Sequence, residues 1–316
     1  IPSIYDKTCS FFKSLRTINR EVHDERVNQI TLEINEIVKT KPKNKYISLC
    51  RDKVNYTMNH GEYKSDTFKI DVSSLNNVIH IDPYEKVVYC EPGVTIEKLC
   101  KATIEYNLLP QVVPELKNLS VGGLIQGTGL ESSSFKYGQF NDSCSEYELI
   151  IGTGKHIVAN AENEYSDLFH GISGSFGTLS VMTLVKINLI QYFPKVTMKY
   201  TFFDTVYAAN NFMHSLCKEG DQNYIEGIVF KNKTAIITGK LDEHNELLPQ
   251  LDLQPWSAPW FAENCENLSK NKTWTEQIGT MQYIFRHDRG AFWTGQYARW
   301  KNINIGKNKL IRKILY

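Results

Sequence analysis

The stretch from Val113 to Gly138, VPELKNLSVGGLIQGTGLESSSFKYG, constrains this protein more than any other. Between Ser120 and Gly138, five glycines (Gly122, Gly123, Gly127, Gly129 and Gly138) share nineteen positions with five hydroxyl residues (Ser120, Thr128, Ser132, Ser133 and Ser134). Glycine lets the backbone come close to a ligand and turn with positive φ, so successive N–H groups can form a concave anion site to which hydroxyls add donors. A lone glycine pair would read as a surface turn; this density points to a phosphate or pyrophosphate. The segment is too glycine-rich to read as a helix. GTGLES is not G-x-G-x-x-G and does not open a βαβ unit, and G-x-x-x-x-G-K-[ST] occurs nowhere, so Rossmann and P-loop sites are excluded.

The flanking sequence reads as an α+β lobe. Val27, Ile30, Ile34 and Val38 recur at steps of three and four, which predicts an amphipathic helix. Short β-like runs follow at Tyr46 to Leu49, Phe68 to Val72, Val78 to Ile81 and Val87 to Cys90. Pro92 and Gly93 make a turn, and Thr95 is placed to cap a helix running to Tyr106. Beyond the glycine segment, Tyr147 to Ile151 and His156 to Ala159 read as a hairpin turning at Gly152 to Lys155. A second glycine cluster, Gly171 to Gly177, leads into Leu179 to Ile190, whose alternation suits a strand with one buried face. After about residue 195 tryptophans and Pro-containing loops take over, which marks a domain boundary.

Composition removes several function classes. Lys and Arg total 36 against 35 Asp and Glu, so no net field draws the protein to nucleic acid. The seven cysteines are widely spaced, odd in number and without a C-x-x-C pair, which is neither a disulfide framework nor a zinc site; no metal is expected. The sequons at Asn232 and Asn271 are read as chance in an Asn-rich sequence.

In order, the segments VVYCEPGVTIEKL, VPELKNLSVGGLIQGTGLESSSFKYGQF, EYELIIGTGKHIV and SDLFHGISGSFGTL resemble the PCMH-type FAD-binding domain of the vanillyl-alcohol-oxidase fold. The wording is most similar to the Δ24-sterol reductase (seladin/DIMINUTO) family, over about 23–189 with a weaker echo at RHDRGAFW. The resemblance implies an α+β fold: a two-subdomain FAD-binding domain over 41–195, preceded by a juxtamembrane amphipathic helix within 1–40 and followed by a partial α+β substrate (cap) domain over 196–316.

It also implies roles for particular residues. Ser120, Val121, Gly122 and Gly123 would cradle the FAD pyrophosphate; Gly127, Thr128, Gly129 and Ser132 would line the flavin and ribityl side; Gly177 and Thr178 would close over the nucleotide. Covalent members of the fold carry a histidine near the first phosphate loop, and the matching stretch, Leu49 to Thr57, has none, so FAD is expected to be non-covalent. Phe135 stands where these reductases carry histidine and Gln139 where they carry leucine. NADPH would be the electron donor, a sterol-like lipid the substrate, and His287, flanked by Arg286 and Arg289, the candidate acid; for this cluster a solvated face or a salt bridge is the competing reading. A membrane segment upstream of Ile1, in the endoplasmic reticulum, is part of the same expectation, and Ile1 to Leu15, with aromatics beside lysines, suits a membrane interface. Two alternatives stand beside the reductase: another FAD-linked oxidase or dehydrogenase of this fold, and a non-catalytic FAD-binding subunit of a larger membrane complex.

Overall fold

The computed structural model describes residues 20–40, 45–50, 66–288, 299–300 and 303–304, the last two pairs as backbone only. The protein divides into two compact units. The first takes the described residues up to Gln111 together with Asn118–Gly129 and Gln139–Ile190; the second takes Val112–Lys117, Leu130–Gly138 and the described residues from Gln191 onward.

The first unit opens on helix α1, Arg20–Thr40, whose Val27, Ile30 and Ile34 are buried at helical spacing, as their periodicity requires. They pack with Ile70, Val72, Leu75, Ile150 and Val181, and Val38 closes the edge of the same cluster. Strands β1 (Tyr46–Cys50) and β2 (Thr67–Asp71) pair in parallel beside this helix. The main sheet is antiparallel and six-stranded. Its path runs through β3 (Val78–Asp82), β4 (Val87–Cys90), β8 (Ser180–Gln191), β6 (Cys144–Ile151) and β7 (His156–Asn160), and β5 (Leu108–Pro110) pairs with β8. Along β8, Ser180 to Val185 are buried on both faces, and the one-faced alternation expected there appears only toward its end. Helix α2, Ile96–Ile104, is capped by Thr95, whose hydroxyl accepts from the Lys98 amide at 3.3 Å.

The second unit is built on a five-stranded sheet ordered β10–β11–β9–β13–β12, from Tyr224–Val229, Thr234–Asp242, Lys195–Phe203, Thr273–Gly279 and Gln250–Leu251. A helix over Val206–Glu219, capped by Thr205 and ended by left-handed Gly220, packs on β9, β10 and β11. Phe135 joins its apolar cluster with Ala209, Leu216, Ile225 and Ile236. The Ser132 carbonyl meanwhile accepts from the Ile225 amide at 2.9 Å. Phe135 is therefore a packing residue.

Among the described residues the cysteines are unbonded, no group of acidic, Cys or His side chains could hold a metal, and no helix is long and apolar enough to cross a membrane. Ile1 to Leu15, 51–57 and Arg289 lie outside the described residues.

Candidate functional site

In the first unit the site begins where β4 ends. The turn Glu91-Pro92-Gly93 is fixed from three directions. The Gly93 amide donates to the Leu75 carbonyl at 2.8 Å, and a Cβ at Gly93 would collide with that carbonyl, so only glycine fits. Glu91 is fully buried. Its Oε1 lies 2.8 Å from His23 Nδ1 on α1, and its Oε2 accepts from the Asn77 amide at 2.7 Å and from Asn77 Nδ2 at 3.0 Å. A buried carboxylate is tolerable only when its lone pairs are satisfied in this way.

The glycine segment is stitched to that turn. Val121 N donates to Val94 O at 2.9 Å, Gly122 N to Pro92 O at 2.8 Å, and Ile96 N to Leu119 O at 2.9 Å. A Cβ on Gly122 would sit 2.7 Å from Pro92 Cβ, closer than carbon atoms can pack. The backbone then forms a six-residue helix, Val121–Gln126, against the expectation that so many glycines exclude one. Ser120 stabilises it by accepting the Gly123 amide on its Oγ at 3.3 Å, while Val121, Leu124 and Ile125 bury the inner face. Gly123 and Gly127 stay exposed, leaving a bare strip of backbone that a ligand can approach.

A second loop meets this strip. Phe176 N donates to Gln126 O at 3.2 Å, and a Cβ on Gly174 would be 3.8 Å from Thr128 Cγ2. Positive φ falls on Thr128 (59°) and Phe176 (51°), with Gly174 and Gly177 beside them, and not on Gly122 or Gly123. A β-branched or aromatic residue in that region costs of order 1–3 kcal/mol and collects at functional sites. Phe176 and Leu179 are nonetheless 64% and 46% exposed, and the buried Ser175 and Ser180 hydroxyls have no hydrogen-bond partner among the described residues. Open glycine backbone, uncovered apolar side chains and orphaned hydroxyls fit a dinucleotide with a flat ring system such as FAD.

Ser120, Val121, Gly122, Gly123, Gly127, Thr128, Gly129, Gly177 and Thr178 thus all lie in the first unit, on these two adjoining loops. Their amides are largely committed: those of Val121 and Gly122 hold the turn, and those of Gly127 and Gly129 bond to Gly123 O and Leu124 O. The glycines therefore supply closeness more than donors. Ser132 belongs to the second unit, where its hydroxyl donates to Glu131 Oε1 at 2.6 Å.

The second unit brings Ser132 together with Arg286 and His287. Arg286 is buried and bridges two acids, donating from Nη2 to Glu131 Oε1 at 2.8 Å and from Nε to Glu226 Oε1 at 2.9 Å. Its guanidinium lies 4.3 Å from the centre of the Tyr283 ring. His287 Nε2 is 3.2 Å from Glu226 Oε2, with its ring edge-on to Phe261. Burial works to raise the Glu226 carboxyl, but the charge of Arg286 and the hydrogen bond from His287 outweigh it and hold the group at about 2. Sequence reasoning singled out Arg286 and His287 but missed Glu131 and Glu226, and in the first unit His23, Glu91 and Phe176. Glu131 stood inside the glycine segment in plain view; the other four carry no local signal.

Residues 32–160 match the FAD binding domain family. The protein is 31% identical over 305 residues to the Delta(24)-sterol reductase of Pisum sativum, covering 91% of its own length and 53% of that protein. The corresponding figures are 31% over 254 residues, 76% and 45%, for the Delta(24)-sterol reductase of Arabidopsis thaliana, and 29% over 297 residues, 92% and 56%, for that of Homo sapiens. The sequence spans about half the length of these curated relatives. Residues 32–160 thus match a flavin-nucleotide-binding domain, and over most of its length the protein is similar to the Delta(24)-sterol reductases.

Proposed function

We propose that this protein is an FAD-dependent reductase of a carbon–carbon double bond in the tail of a sterol or isoprenoid, with NADPH as electron donor and FAD held without a covalent bond. The observation that carries the reading is the pair of stitched loops, Ser120 to Gly129 and Gly174 to Thr178, which present bare backbone beside and within the stretch matching the FAD binding domain. The name of the relatives supplies the substrate class. Bound FAD would take hydride from the nicotinamide and supply it to one alkene carbon. The protein's own part is to hold and to shield. Gly123 and Gly127 let the pyrophosphate approach, and the His23–Glu91–Asn77 contacts keep the Pro92–Gly93 turn in place beneath them. Phe176 and Leu179 offer apolar cover that keeps water from a reactive ring. An unactivated alkene also needs a proton delivered to its second carbon from a positioned acid. A lipid substrate favours an enzyme held at a bilayer, so the full-length protein is proposed to sit on a membrane, that of the endoplasmic reticulum.

One preparation tests these parts separately. Full-length protein is expected in the membrane fraction, released by detergent and not by carbonate. Its flavin should bleach anaerobically with NADPH and recolour when a Δ24-unsaturated sterol is added, but not when the saturated sterol is. Recovery without detergent would remove the membrane proposal, failure to bleach the NADPH proposal, and failure to recolour the substrate proposal.

A further inference from the structure

The first unit buries a histidine where its core calls for an apolar side chain. His23 is fully buried on a face of α1 otherwise filled by Val27, Ile30 and Ile34. Its Nδ1 lies 2.8 Å from Glu91 Oε1, but its Nε2 has no hydrogen-bond partner among the described residues and stands 4.0 Å from Glu148 Oε2. A buried polar atom left without a partner carries a desolvation cost that a leucine at the same place would not. What the ring gains is Glu91, the residue from which the chain enters the Pro92–Gly93 turn. Arg26, three residues further along α1, donates to the Ser74 carbonyl at 3.0 Å and lies 3.9 Å from the same Glu91 oxygen. Ser74 leads into Leu75, whose carbonyl holds the Gly93 amide, and Asn77 holds the Glu91 carboxylate from the other side. Arg20 ties the start of the helix to β6 through Glu148 at 2.7 Å. The first turns of α1 thus grip both stretches of backbone that support Pro92, and Pro92 is the floor on which Gly122 and its helix rest.

We propose, resting on the FAD reading of these loops, that α1 is a clasp on the cofactor site: docking of its first turns and binding of FAD are coupled through His23 and Glu91. With α1 docked, His23 donates to the buried Glu91 carboxylate, the turn stays closed under Gly122, and the exposed backbone at Gly123 keeps its course. When α1 lifts, that carboxylate loses one of its three donors and the Ser74 stretch loses Arg26 at the same moment. The turn then relaxes toward solvation of the carboxylate, and the strip above it loses its shape for the pyrophosphate. Such coupling is reciprocal, so FAD tightens α1 by the factor by which docked α1 tightens FAD. The start of the clasp lies at the surface, where Arg20 and Asp24 are 47% and 51% exposed, so the hold on FAD can be set from outside the site. His23 is a positioning residue that acts through Glu91 and the turn.

Hydrogen exchange on the full-length protein, stripped of flavin and then reloaded with FAD, reads the coupling without turnover. The amides of Val27, Ile30 and Ile34 should exchange about 10-fold or more slowly with FAD bound. His23→Leu should weaken FAD binding about 10-fold or more and abolish the added protection. His23→Asn, whose side-chain nitrogen can stand in for Nδ1, should recover part of both. Ile34→Ala loosens the same helix by packing alone and leaves His23 on Glu91, so it should speed α1 exchange in the flavin-free protein yet keep the FAD affinity and the added protection of the wild type. If His23→Leu does not fold, the wild-type exchange and the Asn variant decide. Equal α1 exchange with and without bound FAD overturns the clasp, as does a loss of FAD affinity that is the same in Ile34→Ala as in the His23 variants. A folded wild type that takes up no FAD overturns the flavin reading itself, and the clasp falls with it.

Discussion

Gly123→Val is expected to yield a folded protein that has lost its flavin. In the structure a Cβ at this position meets nothing nearer than Ser120 Oγ at 3.0 Å, and the residue is exposed with no positive φ to defend. The fold therefore tolerates a side chain there, and the space that the isopropyl group enters is the space the cofactor needs. This separates Gly123 from its neighbour: at Gly122 the new Cβ would strike Pro92 at 2.7 Å and displace the helix from the turn, so that variant loses flavin and stability together. Flavin content and the thermal midpoint, measured on both variants, distinguish the two effects. Stoichiometric FAD in Gly123→Val would remove this strip of backbone from the site.

The largest expected loss of stability follows Arg286→Met. The Arg286 side chain is 1% exposed and joins Glu131, at 2%, to Glu226, at 13%. Removing one partner of a buried ion pair leaves uncompensated charge and costs about 3–5 kcal/mol. Here one cation serves two carboxylates. Lysine is not expected to restore the loss, since an ammonium cannot reach two acids with a planar fork. The pH dependence has a definite sign. Glu226 is held at about 2, below its ordinary value, so its contribution is present at neutral pH and is lost as pH falls from the ordinary carboxylate range toward 2. The gap between Arg286→Met and wild type should therefore narrow in acid, where the stranded carboxylates can protonate. Urea unfolding at about pH 7 and about pH 4 measures both; a loss below about 1 kcal/mol at neutral pH would mean that the bridge is not a stabilising element.

What was legible in the sequence is what local periodicity encodes. Val27, Ile30 and Ile34 announce α1, the runs at Val78 and Val87 announce two strands, and Thr95 announces the cap of α2. Glycine density located the loops of the first unit but misjudged their backbone. The helix over Val121–Gln126 is capped by Ser120 and has Pro92 packed against Gly122, a contact across thirty positions that has no sequence signature. Positive φ falls on Gly138, Gly174 and Gly177, as glycines allow, and also on Thr128 and Phe176, but not on Gly122, Gly123, Gly127 or Gly129. His23 and Glu91 meet across 68 positions, and Arg286 meets Glu131 across 155. Only folding brings such pairs together, so no window along the sequence could display them. Phe135, singled out in the sequence by resemblance alone, packs into the apolar cluster of the second unit.

The central claim is that the first unit binds FAD through these loops without a covalent bond, and the pigment itself tests it most directly. Purified protein should be yellow; acid or heat should leave the precipitated polypeptide colourless and release intact FAD into the supernatant at close to one per polypeptide. Colour that stays with the precipitate, release of FMN in place of FAD, or a purified folded protein that neither carries nor takes up a flavin would contradict it.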